Sequence, residues 1–156
     1  MIKELELWEG IFEIKIKDRE TDKVSFEIAH NRVMNAALQE IVKPLTGTAA
    51  NLEIKYLALG TGTTAVTDND AALATEIFRL SANATISATA TGQVTSDFVV
   101  ADADAVATIE EIGIFAGTSA TLTANVGICI SRILWHHVKI NTEEITFRRI
   151  DTISRG

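Results

Sequence analysis

Residues 54–80 read IKYLALGTGTTAVTDNDAALATEIFRL, and how this stretch folds decides the rest of the chain. It opens on an apolar run in which Tyr56, Leu57 and Leu59 suit a buried strand. Gly60 and Gly62 follow, and their backbones reach angles that a side chain forbids. A Thr-rich loop then ends in Asp68, Asn69 and Asp70, any of which can cap a helix by accepting a free backbone N–H. The expectation is a strand, a tight loop and a short helix over about residues 70–77, with Asp70 as its cap and Leu73 and Ile77 inward. Arg79 leads into the next strand, and Glu76 or Arg79 is expected to fix the loop 60–69 through a hydrogen bond or ion pair. Gly60-Thr61-Gly62 is not a phosphate loop, because neither GxGxxG nor GxxxxGK[ST] is present and no lysine opens the helix.

Upstream, Phe12, Ile14 and Ile16 alternate with Glu13, Lys15 and Lys17, and Val24, Phe26 and Ile28 alternate with Ser25 and Glu27. A polar turn at 18–22 joins them, so a hairpin is expected with its apolar face inward and a charged outer face that blunts edge pairing. After His30-Asn31 the period changes. Val33, Ala37 and Ile41 recur at four-residue spacing, with Met34, Leu38 and Val42 beside them. That is the stripe of a covering helix over about residues 31–43, with Asn31 as a candidate cap and Pro44 marking its end.

Downstream, residues 82–90 alternate Ala and Ile with Ser, Thr and Asn, Thr91-Gly92 turns, and Val94, Ser96, Phe98 and Val100 return. Further strands are expected over 109–115, over 122–131, through a bend in 132–140, and around Ile145 and Phe147. Roughly eight to ten short strands with few crossover helices imply a mainly β protein, an antiparallel β-sandwich or flattened barrel. Residues 11–156 form a single β-rich domain in this reading, and residues 1–10 an N-terminal arm. In the arm Leu5, Leu7 and Trp8 lie among Glu4, Glu6 and Glu9, a pattern that suits adding a strand to a neighbour's sheet edge. The competing expectation is a strand paired within its own sheet.

Composition excludes several classes. A net charge of -7 argues against non-specific nucleic-acid binding, which requires a cationic surface. The single cysteine, Cys129, precludes an intrachain disulfide framework, and its apolar surroundings suit a buried thiol. No segment has the apolar length of a membrane span, and the acidic start MIKELELWEG does not resemble a secretory signal.

Candidate chemistry does not assemble. His136 and His137 point to opposite faces of a strand, as do Glu110 and Glu111, and Glu143 and Glu144. HExxH and GxSxG are absent. Asp102 and Asp104 resemble the start of a calcium loop, but the required Gly and distal Glu are missing at loop spacing. His30 suits a structural hydrogen bond at a strand-to-helix junction. No catalytic, cofactor or metal residue is assigned, and the chain is expected to be non-enzymatic.

Ala58 to Gly62, Asp70, Leu73, Glu76 and Arg79, with His30-Asn31 upstream and Glu110-Glu111-Ile112-Gly113-Ile114-Phe115 downstream, resemble a group of small tailed-bacteriophage virion proteins. The resemblance implies a virion structural protein. The lack of a secretory signal and of a membrane span implies synthesis in the host bacterial cytoplasm, and small size, acidity and the lack of a repetitive shaft motivate a place on the particle exterior. Head decoration is the leading expectation, and a tail-fibre or fibre-anchoring baseplate component the alternative. A soluble ligand-binding β-domain is a further alternative, which a large apolar cavity would favour. The resemblance also implies self-association, as a trimer at three-fold positions, and contact with other virion proteins such as the capsid or tail proteins. Trp8, which suits a core anchor equally well, and the small-residue strand 82–90 are the expected surfaces.

Overall fold

The structure is a computed structural model, and it describes residues 8–83 and 87–155. Alternating sequence becomes strand throughout. The strands are β1 (Trp8–Asp18), β2 (Val24–His30), β3 (Ile54–Gly60), β4 (Glu76–Ser81), β5 (Ser87–Ala90), β6 (Gln93–Val100), β7 (Thr108–Ala116), β8 (Ile128–Val138) and β9 (Glu143–Ile153). They form two antiparallel sheets, one ordered β2-β1-β9-β6-β5 and one ordered β4-β3-β7-β8. The sheets pack as a β-sandwich, because each inner face is apolar and must be buried against the other. Phe12, Ile14, Phe98, Ile145 and Phe147 of the first sheet meet Leu57, Leu59, Ile112, Ile114 and Ile130 of the second, all essentially inaccessible.

The outer face of the four-stranded sheet is covered too. Residues 61–75 run across it as a long loop, and a second small core of Met34, Ala58, Leu73, Phe115 and Cys129 lies beneath. Helix α1 (Asn35–Ile41) packs beside β8. It is shorter than the stripe over 31–43 predicts. Val33 bridges to Ser131, and the Met34 N–H donates to the Ile130 carbonyl, so the chain first pairs with the β8 edge and only then turns helical. Asn31 is therefore not its cap, and Met34 takes that place with no side-chain bond. Pro44 opens a 3-10 turn, Lys43–Thr46, just past the helix end.

Three further expectations are corrected. No helix forms over 70–77. Residues 70–75 are irregular and β4 begins at Glu76, paired with β3 from Tyr56↔Ser81 to Gly60↔Glu76. Ile77 is exposed rather than inward. Residues 117–127 form a loop and not the start of a strand, and Leu122 is exposed there. Finally, Val24, Phe26 and Ile28 of β2 face solvent, and Ser25, Glu27 and Ala29 take the inner side. β2 overhangs the second sheet, so its inner face meets only the rim, where the Trp135 Nε1–H donates to Glu27 Oε2 at 2.7 Å.

The expected arm boundary at residue 10 falls inside β1, which pairs with β9 from Trp8↔Ile153 onward. Trp8 is half-buried and its Nε1–H donates to Asp151 Oδ1 at 3.0 Å. Asp151 also accepts from Nε and Nη2 of the buried Arg149, whose Nη1 donates to Ser131 Oγ at 2.6 Å across the core. Trp8 to Gly10 thus belong to the domain. Leu5 and Leu7, and residues 84–86 of the small-residue strand, lie outside the described residues.

Candidate functional site

The singled-out residues of the 54–80 stretch divide between two latches, both on the covered side of the four-stranded sheet. The first holds loop 61–75. Glu111, on β7, is fully buried and points outward under the loop. Its Oε1 accepts the N–H of Gly62 at 3.0 Å and of Thr75 at 2.8 Å, and its Oε2 accepts the N–H of Ala74 at 3.0 Å. One carboxylate thereby closes both ends of the loop, and it also explains the glycines. A Cβ at Gly60 would lie 2.5 Å from Glu111 Oε1 and from the Thr75 carbonyl, and one at Gly62 would lie 2.5 Å from the same carboxylate oxygen. The two glycines are needed for close approach.

Arg132, on β8, completes this latch. Its Nε donates to Glu111 Oε2 at 2.8 Å, its Nη1 to Asp70 Oδ2 at 2.8 Å, and its Nη2 to the Thr64 carbonyl at 2.8 Å. Asp70 is not a helix cap. It accepts instead from the Thr67 N–H at 3.1 Å and Thr67 Oγ1–H at 2.8 Å, closing a local turn. Partial burial raises its carboxyl pKa, but the bonds from Thr67 and Arg132 outweigh that and hold it below the ordinary aspartate value. Leu73 packs on Gly113, where a Cβ would lie 2.7 Å from Leu73 Cδ2.

The second latch uses Glu76 and Arg79. They pair with one another, Nε to Oε1 at 2.6 Å and Nη2 to Oε2 at 2.9 Å. Contrary to expectation they do not fix loop 60–69. Arg79 Nη1 donates to the carbonyls of Thr121 (2.9 Å) and Val126 (2.6 Å), and Glu76 Oε2 accepts the Asn125 N–H at 2.8 Å. They hold loop 117–127, and the guanidinium lies 4.0 Å over the Phe115 ring. Sequence reasoning missed Arg132 and Arg149. An arginine in an apolar strand run, at Ser131-Arg132 and Arg148-Arg149, was the available signal.

The remaining candidates are spent on structure. Lys139 is buried, and its Nζ donates to the carbonyls of Ala101 and Asp102 at 3.0 and 2.9 Å, while Arg19 Nε lies 2.9 Å from Asp102 Oδ2. This buried ammonium ties the 101–102 backbone to the end of β8, and burial pushes its pKa down. No group of three or more metal-ligating side chains converges among the described residues. His136 faces Glu110 and His137 faces Glu143, at 3.0 and 2.9 Å, on separate sides as their adjacency requires. His30 is exposed, 3.8 Å from Glu9, and Asn31 donates its backbone N–H to the Gly10 carbonyl. The Cys129 thiol is buried and pushed up to about 12 by desolvation. No helix of the described residues is long and apolar enough to cross a membrane.

At one end of the sandwich, between the two sheets, lies an apolar cleft of about 810 Å³. Trp8, Leu52, Ile54, Tyr56, Val94 and Ile153 line it, with Asp151 and Lys55 among its polar groups.

Comparison with known proteins yields no match to a family model, to a curated protein or to a solved structure.

Proposed function

We propose that the chain is a non-enzymatic structural protein on the exterior of a tailed-bacteriophage particle, with capsid decoration as its leading position. A tail or baseplate role, such as a fibre-anchoring adaptor, is the alternative position. One observation carries the reading. Gly60, Gly62, Asp70, Leu73, Glu76, Arg79, Glu111 and Gly113, which bear the virion resemblance, are all consumed in anchoring two loops to one sheet. Every carboxylate and guanidinium of the two latches is bonded to a charged partner or to backbone, which suits holding loops in place. They make a rigid scaffold, as a particle coat requires. The partners in this reading are further copies of the chain, with a trimer suited to three-fold positions, and capsid or tail proteins.

The test is addition of the purified chain to particles lacking it, followed by particle reconstruction. Density at capsid sites supports decoration, density at the tail supports the adaptor reading, and absence from both overturns the proposal. The apolar cleft favours a second reading, a β-domain that holds an apolar ligand between its sheets. Native mass spectrometry of the purified chain tests it: a stoichiometric small-molecule adduct lost on Val94→Asp would support it, and a chain that carries none would overturn it.

A further inference from the structure

The outer face of the five-stranded sheet changes character at its edge. Across β1, β9 and β6 its middle is ionic, with Ile11, Ile150 and Val99 between the charges. Glu13 lies opposite Arg148, which donates to Asp97 at 2.8 Å, and Lys15 and Lys17 continue the row. β2 breaks the pattern. Its register, Lys15↔Phe26, Glu13↔Ile28 and Lys17↔Val24, puts three apolar side chains on this same outer face. They are 41% (Val24), 74% (Phe26) and 68% (Ile28) exposed. β2 is the end strand, paired among the described residues with β1 alone. Edge strands are ordinarily guarded by proline, a bulge or charge. β2 has no proline, its pairing with β1 runs without a register shift, and the side chains on its outer face are apolar, so its one charge, Glu27, lies on the inner side and is held by the Trp135 Nε1–H.

We propose that β2 pairs with β2 of a second copy, antiparallel, about a two-fold axis through Phe26, making one continuous ten-stranded sheet. The register follows from the residues. A two-fold perpendicular to the sheet keeps outer faces together, so paired residues must come from the same face. With Phe26 facing Phe26 of the second copy, Val24 faces Ile28 on both sides and the two apolar stripes merge. Ser25 then faces Glu27 on the inner face, and Asp22 lies toward His30 at each end, an acid against an imidazole. Centring on Glu27 would set two carboxylates against each other, and centring on Ser25 would place Asp22 against Ile28. The Phe26 register overlaps the two apolar stripes most fully without setting like charges against each other.

A seven-residue strand pair buries less than the roughly 1,200–2,000 Å² of a stable complex. The contact is therefore weak in dilute solution and strong wherever copies are held close. An isologous contact of this kind can join two cyclic trimers and does not compete with them. The inference stands on β2 alone and does not depend on the virion reading.

The test uses the full chain in sedimentation and cross-linking. The expected result is concentration-dependent pairing that Phe26→Lys, a change at an exposed position, weakens at least tenfold while the melting temperature is kept. Phe26→Cys should cross-link to itself under oxidation, because facing residues in an antiparallel pair have Cα atoms about 4.5–5.5 Å apart, within disulfide reach. The native Cys129 is buried and does not compete. A chain that never pairs, pairing unchanged in Phe26→Lys, or Phe26→Cys that pairs without cross-linking would each overturn the proposal. So would Phe26→Lys that loses binding to another protein while self-pairing persists.

Discussion

At the scale of single residues, charge here serves loop placement. Asp70 shows the linkage most directly. Its carboxyl lies below the ordinary value of 3.8 in the folded chain, so folding favours the carboxylate. That contribution is complete above the ordinary value and is lost as pH falls below it, through the lower folded value. Asp70→Asn should lower stability at pH 7 by about 1–3 kcal/mol, the scale of hydrogen bonds to a charged group. The difference from the parent should shrink on acidification through this window, which urea midpoints at pH 7 and pH 3 would measure. Cys129 gives a second outcome. A buried thiol raised to about 12 carries almost no thiolate at neutral pH, so it should resist thiol reagents in the native chain and react promptly in urea. Gly62→Ala gives a third. Its methyl would press on Glu111 Oε1 and on the Ala74 side chain, costing about 1–3 kcal/mol in thermal or urea unfolding.

At the scale of elements, each latch sits where a local preference lost. Asp70 followed by Ala71-Ala72-Leu73-Ala74 has good helix chemistry. The helix does not form because Glu111 takes the N–H groups of Ala74 and Thr75, which a helix would have bonded to its own carbonyls. Arg132 and Glu111 form a buried pair, and removing one partner leaves the other uncompensated. Glu111→Gln offers one acceptor oxygen where four donors converge, so it should cost about 3–5 kcal/mol and loosen loop 61–75. Hydrogen exchange should then show faster exchange at Gly62, Ala74 and Thr75 than at core positions such as Phe98 and Phe147. Uniform protection across both groups would contradict the latch. Arg79→Lys should act on the other loop. It keeps the charge but loses the fork that reaches Glu76, Thr121 and Val126 together.

At the scale of the whole molecule, β1 decides where the domain starts. Among the described residues β1 pairs with β2 and β9 alone, so on deletion of residues 1–7 the melting temperature should hold within about 2 °C, the shift expected of less than 1 kcal/mol. Deleting residues 1–10 also removes three pairs with β9 and the Trp8 bond to Asp151. The melting temperature should then fall by about 5 °C or more, on the order expected for 2 kcal/mol. If the shorter deletion also abolishes particle binding or self-association, the attachment element is confined to residues 1–7. Differential scanning calorimetry beside a particle-binding assay separates these outcomes.

Period-two alternation was legible in the sequence because it is local. Successive side chains on a strand point to opposite faces whatever lies above them. Hence the sandwich, the β1–β2 hairpin, the turn at Thr91-Gly92 and the strands β6, β7 and β9 follow from pattern alone. Alternation does not say which of the two faces meets a partner. At β2 the apolar face turned outward because the second sheet ends beneath its neighbour, a fact of sheet width that no segment encodes. The latches were equally hidden, since Gly62 and Glu111 are 49 residues apart and neither carries a local sign of the other. Close packing across those distances made a glycine obligatory at one place and an irregular segment preferable to a helix at another.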